Sequence, residues 1–316
     1  MLIDKPPIAV AGNVWMLGTT AYPMYLVRGR EEGAVVEGGI GGLGPVLRRQ
    51  LADLGIGSTF VRQAVVMHAH PDHVMAIPLL RELFPGVVVT ASAPAAATLS
   101  LEKAVGFFTR IDAALTEGLS RAGVLTDFPP PVAVAENRIA IDRTVGQGDV
   151  IAVEDMHWTV LETPGHSDCS ISLHEPARRV LFISDVSGFY LPKHGTWWPG
   201  YFVDYGQYIG SLDRLAALRA ETLCLSHNGV VCGADDVRAY FAGAIAATRQ
   251  YHARIVAEAK SGRSVREISE QLGIEIHSMT PVLPLDFFQK NCAVMVKQSL
   301  KHEGLTANPG PLAPDP

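Results

Sequence analysis

The chain has 316 residues, 48% of them hydrophobic and 18% charged, which excludes global disorder and allows one large core or two modest ones. Its 26 basic and 32 acidic residues leave a net charge of −6, and no Lys/Arg cluster marks a nucleic-acid face. The four cysteines, Cys169, Cys224, Cys232 and Cys292, form no C-x-x-C pair and read as reduced thiols, not a disulfide framework.

Residues 1–7 interrupt any apolar run before it could act as a signal peptide, and no stretch approaches the ~18–20 apolar residues of a membrane span. A soluble, cytoplasmic protein is expected. The β-rich runs 8–17, 22–27 and 34–37 are split by Gly and Thr. Residues 43–54 carry Leu43, Val46, Leu47, Leu51 and Leu54 on one helical stripe. A buried strand over 61–67 leads to His68. A helix over 74–84 follows, stopped by Pro85-Gly86 before a strand at 87–90, and 94–122 is an Ala/Leu-rich helical excursion.

A second strand-rich half begins near Val132, with strands at 139–141, 149–153, 158–162, 170–174 and 179–183 at antiparallel spacing. Next come a helix over 212–219, a buried strand at 222–225 and a long helix over 234–260 opened by Asp235 and Asp236. Ser264-x-x-Glu267 and Asp286-x-x-Gln289 match capping boxes and predict two further helices. The Pro-rich segment 308–316 reads as a disordered tail. These elements predict a main domain over 1–262 and a helical extension over 263–307 packing on it.

His68-Ala69-His70-Pro71-Asp72-His73 is the strongest chemical signal. An H-x-H-x-D-H run arises in about 7 of 10,000 shuffles of this composition, and it falls on a loop leaving a buried strand. His68 and His70 can converge on one cation, while Asp72 and His73 can reach a second ~3.5–4 Å away. The bland alternative is a solvated loop whose Asp72 caps the following helix. Against it, three imidazoles and a carboxylate packed so closely would repel or sit idle without a cation. The second half supplies His166 after Pro164-Gly165, Asp185 after the apolar run 180–184, and His227 after 222–226. Each ends a buried strand, so all would project from one sheet edge.

In this order the motifs resemble the metallo-β-lactamase-fold hydrolase superfamily from about Val35 to Gly229. The stretches Val36-Glu37-Gly38-Gly39-Ile40, Gly165-His166-Ser167-Asp168 and Leu181-Phe182 leading into Asp185-Val186-Ser187-Gly188 are similar to the quinolone-signal response protein and thioesterase-like members. The resemblance implies an α+β fold, a four-layer αββα sandwich, with helices added at 94–122 and at the C-terminus. It implies that His68, His70 and His166 hold one metal, that Asp72, His73 and His227 hold a second, and that Asp185 bridges. Cys169 and Ser184 stand where many relatives carry Gly; neither change removes a ligand.

An all-nitrogen/oxygen donor set suits two divalent metal ions, zinc first, with iron or manganese as alternatives. Asp72 and Asp185 are the candidate catalytic carboxylates. The expected reaction is hydrolysis of a carboxylic ester or thioester of a small, partly apolar substrate by metal-activated hydroxide, with no separate Ser or Cys nucleophile. Phosphodiester cleavage would call for basic residues, and 150–232 hold only Arg178, Arg179, Lys193, Arg214 and Arg219. A regulatory metal-binding protein with little turnover is the alternative from another class. The aromatic-rich segment 189–208 reads either as a packed loop or dimer contact, or as a pocket wall for an apolar acyl group. Phe189, His194, Trp197, Trp198 and Tyr201 are its pocket candidates. The expected partner is a small-molecule substrate, with neither nucleic acid nor membrane, and a homodimer is left open.

Overall fold

In the computed structural model, which describes residues 1–126 and 130–306, the apolar run at 8–17 is a hairpin. The tail read at 308–316 lies outside the described residues. After the two-residue β1 (Leu2–Ile3), Gly12 turns the chain at φ +46°, a conformation open to glycine without steric cost. β2 (Ile8–Ala11) therefore pairs antiparallel with β3 (Val14–Gly18).

The next elements are β4 (Pro23–Arg28), β5 (Gly33–Val36), α1 (Gly44–Asp53), β6 (Val61–Val65) and α2 (Ile77–Leu83). α2 starts later than its periodicity predicts because Pro71–His73 forms a 3-10 turn. The N–H groups of Met75 and Ala76 then donate to the carbonyls of Gly39 and Gly38, both at 2.9 Å, and are lost to the helix. β7 (Val88–Ser92), α3 (Ala93–Leu99) and α4 (Glu102–Arg121) follow. The strand expected at 139–141 lies instead at β8 (Arg143–Val145), because the Ile139 N–H is taken by the Leu99 carbonyl closing α3.

β9 (Val150–Val153), β10 (Met156–Glu162), β11 (Ile171–Glu175) and β12 (Val180–Ser184) fall close to their predicted places. The remaining elements are β13 (Phe189–Leu191), β14 (Thr196–Trp198), α5 (Tyr205–Ala216), β15 (Thr222–Leu225), β16 (Val230–Cys232), α6 (Ala234–Lys260), α7 (Val265–Met279) and α8 (Leu285–His302). α5 begins two turns before its apolar stripe, since the Asp204 carboxylate caps it by accepting from the Gln207 N–H at 2.9 Å. The Ser264–Glu267 capping box forms as predicted. The one expected at Asp286 does not: Pro284 is the N-cap of α8, and Asp286 sits inside the helix paired with Lys290 at 2.7 Å.

The chain divides into two units. The first comprises Met1–Thr163, Asp168–Asp185 and Leu218–Tyr240. It holds two seven-stranded sheets, in the orders β1-β16-β15-β12-β11-β10-β9 and β2-β3-β4-β5-β6-β7-β8. One core cluster draws from both sheets, with Met16, Tyr25, Val36 and Val65 from one and Trp158, Ile171, Phe182 and Cys224 from the other. Parallel pairing joins β5 to β6 and β6 to β7 in one sheet, and β12 to β15 in the other. These strands thus end at common edges, and the candidate ligands follow their C-terminal ends. α4 packs over the 3-10 turns at 41–43 and 71–73.

The second unit comprises Pro164–Ser167, Val186–Ala217 and the chain from Phe241 onward. Its β13–β14 hairpin carries Trp197, whose ring lies where a Cβ on Gly243 of α6 would stand. Trp198 packs against Phe288 of α8 with ring centroids 5.4 Å apart, and the Tyr201 and Ser299 hydroxyls are 2.9 Å apart. Among the described residues, no helix is long and apolar enough to cross a membrane.

Trp158 is 1% exposed and lies 4.9 Å from the Phe182 ring in the core between the sheets. Trp158→Ala is expected to cost about 3–5 kcal/mol, read as a lower denaturant midpoint at unchanged m-value. A loss below about 1 kcal/mol would mean that this cluster does not carry the first unit.

Candidate metal centre

The ligand cluster is built at strand ends. β12 and β15 run parallel as neighbours, so Asp185 and His227, just past their last residues, leave the same sheet edge. In the other sheet β5 and β6 are parallel neighbours, so Glu37 and the loop carrying His68 emerge side by side. Gly38 permits the close approach of these segments: a Cβ there would stand 2.3 Å from the His73 carbonyl oxygen. Cys169 is buried and structural in its contacts. Its Sγ accepts from the Ala69 N–H at 3.3 Å and its carbonyl accepts from the Ser92 hydroxyl at 2.7 Å.

Within the first unit the structure brings six of the seven predicted ligands together. Donor atoms of His68, His70 and Asp185 lie within 4.8 Å of one another, as do those of Asp72, His73 and His227. Asp185, a member of the first set, also faces two histidines of the second. Its Oδ2 lies 3.8 Å from His68 Nε2 and 3.5 Å from His73 Nε2, and its Oδ1 lies 3.3 Å from His227 Nε2. Asp72 Oδ2 lies 3.4 Å from His73 Nε2 and 3.5 Å from His227 Nε2.

The rings are held from behind. His68 Nδ1 is 3.0 Å from the Ser184 hydroxyl, His73 Nδ1 is 2.9 Å from Glu37 Oε2, and His227 Nδ1 donates to the Ala21 carbonyl at 2.9 Å. Each contact occupies Nδ1 and turns Nε2 towards the carboxylates, the usual way of orienting an imidazole ligand. The Ser226 hydroxyl donates to Asp185 Oδ1 and fixes that carboxylate. The seventh residue, His166, lies on the second unit's 164–167 turn and is oriented in the same manner. Its Nδ1 donates to the Gly200 carbonyl at 2.8 Å. That turn is pinned where the Gly165 carbonyl accepts from the Val203 N–H at 3.0 Å and the Pro164 carbonyl accepts from the Ser211 hydroxyl at 2.8 Å.

Burial alone would raise the carboxyls of Asp72 and Asp185, but the His73 and His227 imidazoles outweigh it, holding Asp72 at about 2 and Asp185 well below the ordinary range. Burial would depress His73, yet Asp72, Asp185 and Glu37 together hold it well above the ordinary imidazole range. The cluster thus retains a proton to offset converging carboxylates, the position a divalent cation would take. Nitrogen and oxygen donors only, oriented and mostly buried, fit a pair of divalent metals and select none by softness. Tyr22, edge-on to His227 with centroids 5.2 Å apart, is held neutral by burial and by the charges of Asp72, Asp185 and Asp112.

The aromatic pocket candidates are placed in the second unit. Trp198 and Tyr201 are buried there, Phe189 and Trp197 are half-buried, and His194 is exposed at the β13–β14 turn. Glu37, Ser184 and Ser226 are the site residues that residue spacing missed. Glu37 and Ser184 share one feature: both are non-glycine residues at positive φ, +74° and +49°. A ligand-type acid directly before a Gly-Gly pair was the available signal for Glu37.

Residues 17–227 match the Metallo-beta-lactamase superfamily, and the chain belongs to it. Among curated proteins it is 30% identical over 200 residues to the acyl-coenzyme A thioesterase MBLAC2 of Gallus gallus, covering 62% of this chain and 66% of that one, just under two thirds of its length. The Bos taurus thioesterase of that name is 39% identical over 71 residues, 22% of this chain and 24% of its own. Among solved structures, a metallo-beta-lactamase family protein of Thermus thermophilus aligns with a TM-score of 0.62 at 21% identity, covering 92% and 94% of the two chains. A Cronobacter sakazakii metallo-beta-lactamase aligns at 0.56 and 17% identity, covering 78% and 97%. The fold is the expected α+β sandwich of this superfamily, with added C-terminal helices.

Asp112 of α4 is 3% exposed and accepts from the Gly41 N–H at 2.8 Å. Burial, and less strongly the Asp72 charge, push its carboxyl up to about 6 against that hydrogen bond. The folded state therefore binds a proton that the unfolded chain releases near pH 4, and this group lowers stability as pH rises from about 4 to about 6. Asp112→Asn, which keeps an acceptor for Gly41, should remove that slope. It should gain on the order of 2–3 kcal/mol relative to the native chain at pH 7 and little at pH 4, measured by denaturant unfolding at both. Parallel pH profiles would disprove the assignment.

Proposed function

We propose that this chain is a metal-dependent hydrolase that cleaves a carboxylic ester or thioester of a small, partly apolar substrate. The observation that carries the reading is Asp185, whose Oδ2 lies 3.8 Å from His68 Nε2 and 3.5 Å from His73 Nε2 and whose Oδ1 lies 3.3 Å from His227 Nε2. In this reading His68, His70, His166 and Asp185 hold one cation, and Asp72, His73, His227 and the shared Asp185 hold the other.

When bound, divalent cations supply Lewis acidity for an acyl carbonyl and make water available as hydroxide near neutral pH. The protein's own part is positional and electrostatic. Ser184, Glu37 and Ala21 hold the imidazoles so that no reorganisation is needed at the moment of reaction. Asp72, with its side chain 19% exposed against 9% for Asp185, is the more open carboxylate. Ionised at neutral pH, it accepts a hydrogen bond from water and orients it. The likeness to an acyl-coenzyme A thioesterase supports an acyl substrate, and the scarcity of basic residues over 150–232 disfavours a phosphodiester.

Metal analysis of the purified protein, combined with a panel of thioesters, esters, lactones and phosphodiesters, tests this reading. About two divalent ions per chain and cleavage of acyl substrates are expected. Chelation should abolish turnover, and zinc, iron or manganese should restore it. His70→Ala and Asp185→Ala should each lose metal loading and turnover together. Cleavage confined to bis-p-nitrophenyl phosphate would replace the acyl reading by a phosphodiesterase, and full metal loading without turnover would replace it by a regulatory role.

A further inference from the structure

Ser184 holds a backbone conformation that serine rarely adopts. Its φ of +49° lies in the left-handed region, where Cβ crowds the following carbonyl and glycine is the ordinary occupant. It also sits at a bulge: the pairing of β12 with β15 slips between Phe182, opposite Cys224, and Ser184, opposite Leu225. Bulges beside active sites re-aim side chains, and the left-handed position within them commonly belongs to glycine. What serine adds over glycine here is one hydroxymethyl group. Ser184 is 2% exposed, and its hydroxyl lies 3.0 Å from His68 Nδ1.

We propose that Ser184 is a positioning residue of the metal centre, retained in a strained conformation because its Oγ accepts the Nδ1–H of His68. That bond selects the tautomer whose Nε2 lone pair is free for a cation, and His68 Nε2 is the nitrogen 3.8 Å from Asp185 Oδ2. The same bulge delivers Asp185, the next residue, so one local distortion sets a ligand and the orientation of its neighbour. Glu37 repeats the device in the opposite sheet: at φ +74° it directs its carboxylate to His73 Nδ1 at 2.9 Å. Two left-handed non-glycine residues that each hold the rear nitrogen of a candidate ligand fit strain kept for function. The proposal rests on the reading of His68 as a metal ligand.

The test compares full-length Ser184→Gly, Ser184→Ala and His68→Ala for zinc affinity, by competition with a chromophoric chelator, and for thermal unfolding of the metal-free protein. Ser184→Gly should bind zinc roughly 10–100-fold more weakly than the native chain, while its metal-free melting temperature equals or exceeds the native value because the left-handed strain is gone. Ser184→Ala should lose affinity equally and melt lower, since it keeps the strain without the hydrogen bond. A purely structural serine would not separate these two readouts. Native zinc affinity in Ser184→Gly, with affinity lost in His68→Ala, would overturn the positioning role alone. Native affinity in His68→Ala would overturn the metal-centre reading beneath it.

Discussion

A hydrogen bond to one nitrogen of an imidazole fixes its tautomer and aims the other nitrogen, and three buried histidines of the first unit are held in that way. The groups behind His68, His73 and His227 come from Ser184, Glu37 and Ala21, separated from their histidines by 116, 36 and 206 positions. No local segment could supply them. The two-sheet core does, by fixing the ends of β5, β6, β12 and β15 relative to one another. Stability and site geometry thus depend on the same apolar contacts, because a shift of the sheets would move each ring away from its anchor.

The electrostatics follow from that convergence. Three carboxylates, Glu37, Asp72 and Asp185, surround His73 and raise its pKa, a compensation that a bound cation would supply in its place, while His73 and His227 lower the carboxyls of Asp72 and Asp185. Such a cluster is costly to bury unless its charges are compensated. α4 closes over the ligand turn from one side and carries its own buried acid, Asp112, whose carboxyl rises to about 6. The helical excursion read from its Ala/Leu composition therefore brings a titrating group to the 71–73 turn that carries Asp72 and His73.

Much of this was legible in the primary structure, and the failures have local causes. Periodicity located α1, α6 and β15 closely. It placed the start of α2 too early, where Gly38 and Gly39 take two amides. It placed a strand at 139–141, where the Leu99 carbonyl takes another. The Asp286 capping pattern failed because Pro284 occupies the N-cap first. The aromatic segment 189–208 could be read as packing or as a pocket wall. In the structure Trp197, Trp198 and Tyr201 make contacts to α6 and α8 within the second unit.

The sequence by itself determined which donors are available: the H-x-H-x-D-H run, and His166, Asp185 and His227 at the ends of apolar strands. Spacing along a chain reports donor chemistry because ligand type is a property of the residue. Tertiary structure alone decided which nitrogen of His68, His73 and His227 faces the carboxylates, that Asp185 reaches both sets, and that Glu37 and Ser184 contact the histidines from left-handed positions. Those facts depend on backbone torsion and on contacts between strands far apart in sequence. Neither those torsions nor those long-range contacts can be read from a short pattern.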